Sequence, residues 1–186
     1  MIQVIGLSGK AGSGKDYIAS RIITPKYGYV PFSIAWHVKA NLVGKGALTY
    51  EEAFITKPPH ARHLLQQEAT ESGRDIYGED MWLRAADSWM KTIYNSWGIK
   101  RFILPDVRFV NEVNYIKNMG GKVIRIVAPQ RVAQSPLSTE ARNHYSEVAL
   151  DDYPLDNFDG LLYNDIGQEE TLVSRTEELF NKLLLN

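Results

Sequence analysis

The chain predicts an α/β fold, a three-layer α/β/α sandwich on a parallel sheet of about five strands, carrying a helical insertion and a lid. Three observations point there. Short apolar runs at 2–7, 101–104, 122–127 and 160–163 alternate with stretches of helical period. The first run leads straight into Gly9-Lys10-Ala11-Gly12-Ser13-Gly14-Lys15, a glycine-rich turn with a helix-like segment behind it. Strands separated by helices pair in parallel, because each crossover carries the chain back to the same edge.

Taken in order, Ile2 to Leu7 alternates β-branched and small residues as a buried first strand would. Residues 15 to 23 place Ile18, Ala19 and Ile22 at helical spacing, and Thr24-Pro25 should end that helix. Residues 29–33 read as a short second strand weakened by Pro31. Helices are expected at 34–42, from Tyr50 to Phe54, and from Pro58-Pro59 to Gly73. Met81, Trp82, Ala85, Ala86, Trp89, Ile93 and Trp97 form a stripe that should bury Trp89, or offer the face of a homodimer. The third strand, 101–104, ends at Pro105-Asp106, and a helix follows over 109–118. Gly120-Gly121 turns into the clearest strand, 122–127. Residues 129–150 show no clean period and read as a mobile loop or lid; a last strand at 160–163 and a helix through Leu172 and Leu183 close the fold.

Composition narrows the function. The 186 residues fit one domain, with 44% hydrophobic and 23% charged residues, ordinary values for a globular protein. A formal net charge of −1 offers no field for nucleic acid or an anionic membrane, so anions must be held by local clusters. The absence of cysteine excludes disulfides and fits a reducing cytoplasm. Neither a signal peptide nor a spanning apolar segment is expected.

The turn at Gly9 to Lys15 matches GxxxxGK, a phosphate-binding loop (P-loop), in its strand-before and helix-after context. Its glycines let successive amides of Gly9, Lys10, Ala11, Gly12, Ser13 and Gly14 face phosphate oxygens, and the helix N-terminus adds partial positive charge. Lys15 can reach the β- and γ-phosphates and is expected to face solvent in the empty site. Lys10 reads equally as a phosphate contact or a solvated loop residue. Asp16 stands where Ser or Thr usually meets Mg²⁺. It serves the helix dipole alone, ligates Mg²⁺ directly or through water, or approaches the acceptor. Asp106 reads either as a metal-facing aspartate at a strand end or as a turn or helix cap. No glutamate follows it to activate water, which argues against hydrolysis. Arg108 and Glu112 are spaced for an intrahelical ion pair.

Between Gly73 and Trp82 the chain gathers Arg74, Asp75, acids and aromatics. Arg74 suits a monophosphate, or a structural pair with Glu79 or Asp80; Trp82 suits base stacking or the core. The 129–147 stretch carries Arg131, Arg142, Asn143, His144 and Glu147; its arginines would close over a phosphoryl group, or lie on a solvated loop. His144 reads as a structural or surface residue.

In combination these pieces resemble the deoxynucleoside monophosphate kinases of bacteriophages, within the nucleoside monophosphate kinase-like P-loop group. The resemblance rests on Gly9 to Asp16, Gly73 to Trp82, Asp106-Val107-Arg108-Phe109-Val110-Asn111-Glu112, Gly120-Gly121, His144-Tyr145-Ser146-Glu147 and Asn164-Asp165. These motifs span nearly the whole chain. Tyr17 departs from the family, which often has Thr there.

The resemblance implies a P-loop NTPase fold with a core of 1–33, 99–128 and 158–186, an acceptor-binding region at about 34–98 and a lid at about 129–150. It implies Mg²⁺-dependent transfer of the ATP γ-phosphate to a deoxynucleoside monophosphate, in the host cytoplasm if the chain is phage-encoded. Lys15 and the loop would hold ATP, Asn164 would meet the adenine, and Asp16 and Asp106 would frame the metal. Arg74, Asp75, Trp82, Asp106 and Arg108 would line the acceptor, with Arg131 and Arg142 stabilising the transferring group. A kinase for another small acceptor, or a nucleotide-binding regulatory module, are the alternatives.

Overall fold

Five strands form the centre of the protein, whose computed structural model describes residues 1–184. They are β1 (Gln3–Ser8), β2 (Val30–Pro31), β3 (Arg101–Val107), β4 (Lys122–Val127) and β5 (Gly160–Tyr163). All pair in parallel in the order β2-β3-β1-β4-β5. The expected α/β fold with a five-stranded parallel sheet is therefore present. The strand connections leave β1 and β3, which are neighbours, in opposite directions. Ligand crevices open at the carboxyl ends of such adjacent strands.

Alternation along each strand sends side chains into two cores. On one face Ile5, Leu7, Ile103, Ile124, Ile126 and Leu162 pack with Ile18, Ala19, Ile22 and Phe180. On the other, Val4, Phe102, Leu104 and Val123 pack with Val113, Ile116, Met90 and Val38. The sheet is thus the middle of three layers. No helix among the described residues is long and apolar enough to cross a membrane.

Helix α1 (Lys15–Tyr17) leaves the phosphate loop and continues as a π-helical turn, Ile18–Ile23, into α2 (Thr24–Tyr27). Thr24-Pro25 does not end the helix as expected. Thr24 N–H reaches back to the Ala19 carbonyl, and this wider turn accommodates the proline ring; Gly28 (φ 67°) ends the run instead. Helix α3 (Trp36–Gly44) precedes a π-helical segment, Glu51–Thr56, and α4 (Pro59–Ala69) runs into a third, Thr70–Arg74, then α5 (Asp75–Tyr77). Strand β2 is only two residues long, whereas β3 extends through Pro105 to Val107. Pro105 is tolerated within β3 at its carboxyl end, beyond the pairing of Leu104 with Gly6.

Helix α6 (Met81–Trp97) buries Trp82, Leu83, Ala86 and Met90. Trp89 is 47% exposed rather than buried, and Trp97 68%, because the true period sets 82, 86 and 90 inward and turns 89 aside. Helix α7 (Val110–Asn118) joins β3 to β4. The stretch expected to be a lid without periodicity holds three short helices, α8 (Pro129–Ala133), α9 (Thr139–Asn143) and α10 (Tyr145–Val148). Each is too short for its amphipathic period to show in sequence. Helix α11 (Glu169–Leu184) ends the described chain.

Candidate functional site

The phosphate loop lies at the carboxyl end of β1 and uses glycine where the backbone demands it. Gly12 (φ 87°) and Gly14 (φ 90°) are left-handed, and any Cβ on Gly14 would strike the Asn164 amide. That amide donates to the Ser13 carbonyl at 2.9 Å, so Asn164, buried at the end of β5, braces the loop from beneath. Lys15 is 6% exposed and not solvent-facing: its ammonium folds back to donate to the carbonyls of Gly9 (2.7 Å) and Lys10 (2.8 Å). Burial first, then the Arg108 guanidinium, lowers its pKa from the ordinary lysine value to about 7.

In front of the loop opens a cavity of about 520 Å³, walled by α1, α3, α4, β3 and α10. Ala11, Gly12, Gly14, Lys15, Asp16, Arg74, Trp82, Asp106 and Arg108 line it. Gly9, Lys10, Ser13, Asp75, Arg131, Arg142 and Asn164 do not. Asp75 is exposed on α5. Arg131 donates to the Asn164 carbonyl (3.0 Å) and pairs with Glu169 (2.6 Å). Arg142 donates to the carbonyls of Leu137, Ala133 and Ser135. Both arginines hold the α8–α10 segment in shape.

Asp106 accepts from the Ser33 hydroxyl (2.6 Å) and from the amides of Ile34 (3.0 Å) and Ala35 (2.9 Å). It therefore caps the turn entering α3, and these three donors compete with any metal for its oxygens. Asp16 is exposed on the cavity wall, and its carboxylate has no hydrogen bond to another described residue. A hard, unpartnered carboxylate beside a phosphate loop fits Mg²⁺, which takes one or two protein oxygens together with phosphate.

Arg74 pairs with neither Glu79 nor Asp80. Its guanidinium stacks 3.6 Å from the Phe109 ring centre and donates to Glu112 at 2.7 Å, both partners nearly buried. Glu112 also accepts the amides of Arg108 (2.6 Å) and Phe109 (3.2 Å), reaching back over the start of α7. Burial raises its pKa to about 7, with Arg74 opposing. The expected Arg108–Glu112 ion pair does not form. The Arg108 guanidinium turns instead to Glu147 and the Ser146 carbonyl. Trp82 presses on Gly73, donates to the Ala69 carbonyl at 2.7 Å and is 6% exposed, so its ring is wall and core together.

Three cations on the same wall were not apparent from the sequence motifs: Lys39 on α3, Lys57 after the second π-helical segment, and Arg62 on α4. Among the described residues none of their side chains makes a hydrogen bond or ion pair; Lys39 lies 5.5 Å from the Phe54 ring centre. Burial lowers the pKa of Lys39, Asp106 opposes, and Lys57 adds to the lowering. The available signal was periodic: Arg62, Leu65, Gln66 and Ala69 share the face of α4 that fronts the cavity. The lining carries six cations, Lys15, Lys39, Lys57, Arg62, Arg74 and Arg108. Its four carboxylates are Asp16, Asp106, Glu112 and Glu147. Three of the four accept protein donors, while three of the six cations make no hydrogen bond or ion pair among the described residues, a balance that favours an anion in the cavity.

Several solved structures share this architecture across nearly their whole lengths. TT1252 from Thermus thermophilus aligns with a TM-score of 0.58 at 16% identity, covering 98% of each chain. Shikimate kinase from Bacteroides thetaiotaomicron aligns at 0.52 and 14% identity, over 97% of this chain and 98% of that one. Dephospho-CoA kinase from Campylobacter jejuni aligns at 0.51 and 15%, over 98% of each. The likeness is one of fold. No family model and no curated protein sequence matches the chain.

Proposed function

We propose that the chain is a P-loop kinase that transfers the γ-phosphoryl group of ATP to the phosphate of a deoxynucleoside monophosphate. The observation that carries this reading is the set of cations, Lys39, Lys57 and Arg62, that make no hydrogen bond or ion pair among the described residues and stand on the wall of the cavity that the phosphate loop opens into. A loop for one phosphate chain and a cationic wall in the same cavity suit two phosphorylated substrates. Structures of the same fold include a shikimate kinase, a sugar kinase and a dephospho-CoA kinase, which favours phosphoryl transfer. The deoxynucleotide is favoured by the motif resemblance that runs from Gly9 to Asp165.

In this reading the loop amides and Lys15 hold the ATP phosphates, while Lys39, Lys57 and Arg62 hold the acceptor's. Arg74, clamped by Glu112 and Phe109, and Trp82 shape the wall for the nucleoside. Arg108 replaces Arg131 and Arg142 as the arginine placed for the transferring group. Asp16 would hold Mg²⁺, with Asp106 acting through water; the ion neutralises developing phosphate charge when bound. The acceptor phosphate is largely deprotonated at neutral pH, so positioning and charge suffice without a base. The division into core, acceptor region (about 34–98) and lid (about 129–150) belongs to the same proposal.

A coupled ADP-release assay with ATP, Mg²⁺ and a panel of ribo- and deoxynucleoside monophosphates tests it. ADP release should depend on a deoxynucleoside monophosphate and disappear in Lys15→Ala. A rate indifferent to every monophosphate would overturn the assignment.

A further inference from the structure

The Glu147 carboxylate reaches into the glycine-rich loop that follows β1. Its Oε2 accepts the Ala11 amide at 2.9 Å, its Oε1 accepts the Arg108 guanidinium, and its charge acts on Lys15. The side chain is 7% exposed and lies on the cavity wall. A loop amide and an arginine on one carboxylate, with a lysine close enough to feel its charge, resemble the donor set by which such loops take phosphate. The segment that carries Glu147 is fastened at the same place. Lys10 donates to the Glu147 carbonyl (2.7 Å) and to Asp151 (2.6 Å), and Arg108 donates to the Ser146 carbonyl (3.3 Å).

We propose that Glu147 is an internal stand-in for the nucleotide's terminal phosphate. The γ-phosphate of ATP displaces the carboxylate from Ala11 and Arg108, and the released Arg108 meets the transferring phosphoryl group. ADP ends one phosphate short and leaves Glu147 in place. The loop thus distinguishes ATP from ADP by whether the carboxylate is expelled, and Arg108 is free only while a γ-phosphate is present. Because Glu147 favours the empty site, it lowers the affinity for ATP by the free energy of its own contacts. The proposal rests on reading the loop as an ATP site and is independent of the acceptor.

Calorimetric titration of wild type, Glu147→Gln and Glu147→Ala with ATP and with ADP, in Mg²⁺ and without acceptor, decides it. Both variants should bind ATP about tenfold tighter, one charge-assisted contact being worth roughly that factor, with ADP within about twofold of wild type. Should the alanine variant not fold, Glu147→Gln, near-isosteric and still able to accept the Ala11 amide, carries the same readout. Weaker ATP binding, or equal changes for ATP and ADP, would show a strut and overturn the proposal. A wild type that binds ATP in this titration but, in the coupled ADP-release assay, phosphorylates no deoxynucleoside monophosphate would sink the acceptor assignment alone.

Discussion

Lys57 holds a left-handed backbone (φ 47°), the one non-glycine among the described residues to do so. A lysine in that conformation is disfavoured by about 1–2 kcal/mol relative to an ordinary one, a strain that glycine would relieve. Lys57→Gly should therefore leave the melting temperature unchanged or higher while raising the acceptor's KM about tenfold, the effect of losing one charged contact. Thermal melts beside steady-state kinetics check both halves; a lower melting temperature with unchanged KM would assign Lys57 to the fold. Lys15 makes a second residue-scale prediction. Its pKa of about 7 lies below the unfolded value, so between the two the unfolded chain holds more protons. The empty protein should accordingly gain stability as pH rises from about 7 toward 10, and lose that gain on acidification. On the proposed ATP site, a bound triphosphate would favour the charged form. ATP binding at about pH 8 should take up close to one proton, falling toward none at about pH 6. Calorimetry in buffers of different ionisation enthalpy measures it, and Lys15→Met should abolish the uptake.

At the scale of elements, the π-helical turns matter most. The third, Thr70–Arg74, delivers Arg74 to the cavity and brings the buried Gly73 backbone against the Trp82 ring. A Cβ at Gly73 would lie 2.5 Å from that ring, and the indole is tied to Ala69 besides. Gly73→Ala should lower stability by about 1–3 kcal/mol through overpacking, read as a reduced urea midpoint at constant m-value. Here the limits of the sequence are plain. The loop and strands were legible because glycine spacing and β-branched runs are local signals. The partner of Arg74 was not, since Glu112 lies 38 positions away. Lys57 carried no local mark at all, because its value lies in a backbone angle and a facing wall. Trp89 misled because aromatic spacing near a helical period looks buried until the true phase of α6 is known.

For the whole molecule, the informative quantity was where the charges stand, which the net charge hides. A chain at −1 overall gathers six cations around one cavity, so local placement, absent from any total, decides what the protein attracts. The fold class followed from alternation and the glycine-rich turn, both local signals, whereas the brace beneath that turn did not, because Asn164 and Ser13 stand 151 positions apart. The strand order has a further consequence, for the birth of the protein. Strand β1 is central, yet both its neighbours come later: Gln3 pairs beside Arg101, and Ile5 beside Lys122. A nascent chain that has emerged only to Gly98 has made its phosphate loop and has nothing to set it on. The oldest part of the chain must wait, exposed and apolar, for the newest, and contacts this distant in sequence make folding slow. The glycine-rich loop is written first and set in place last.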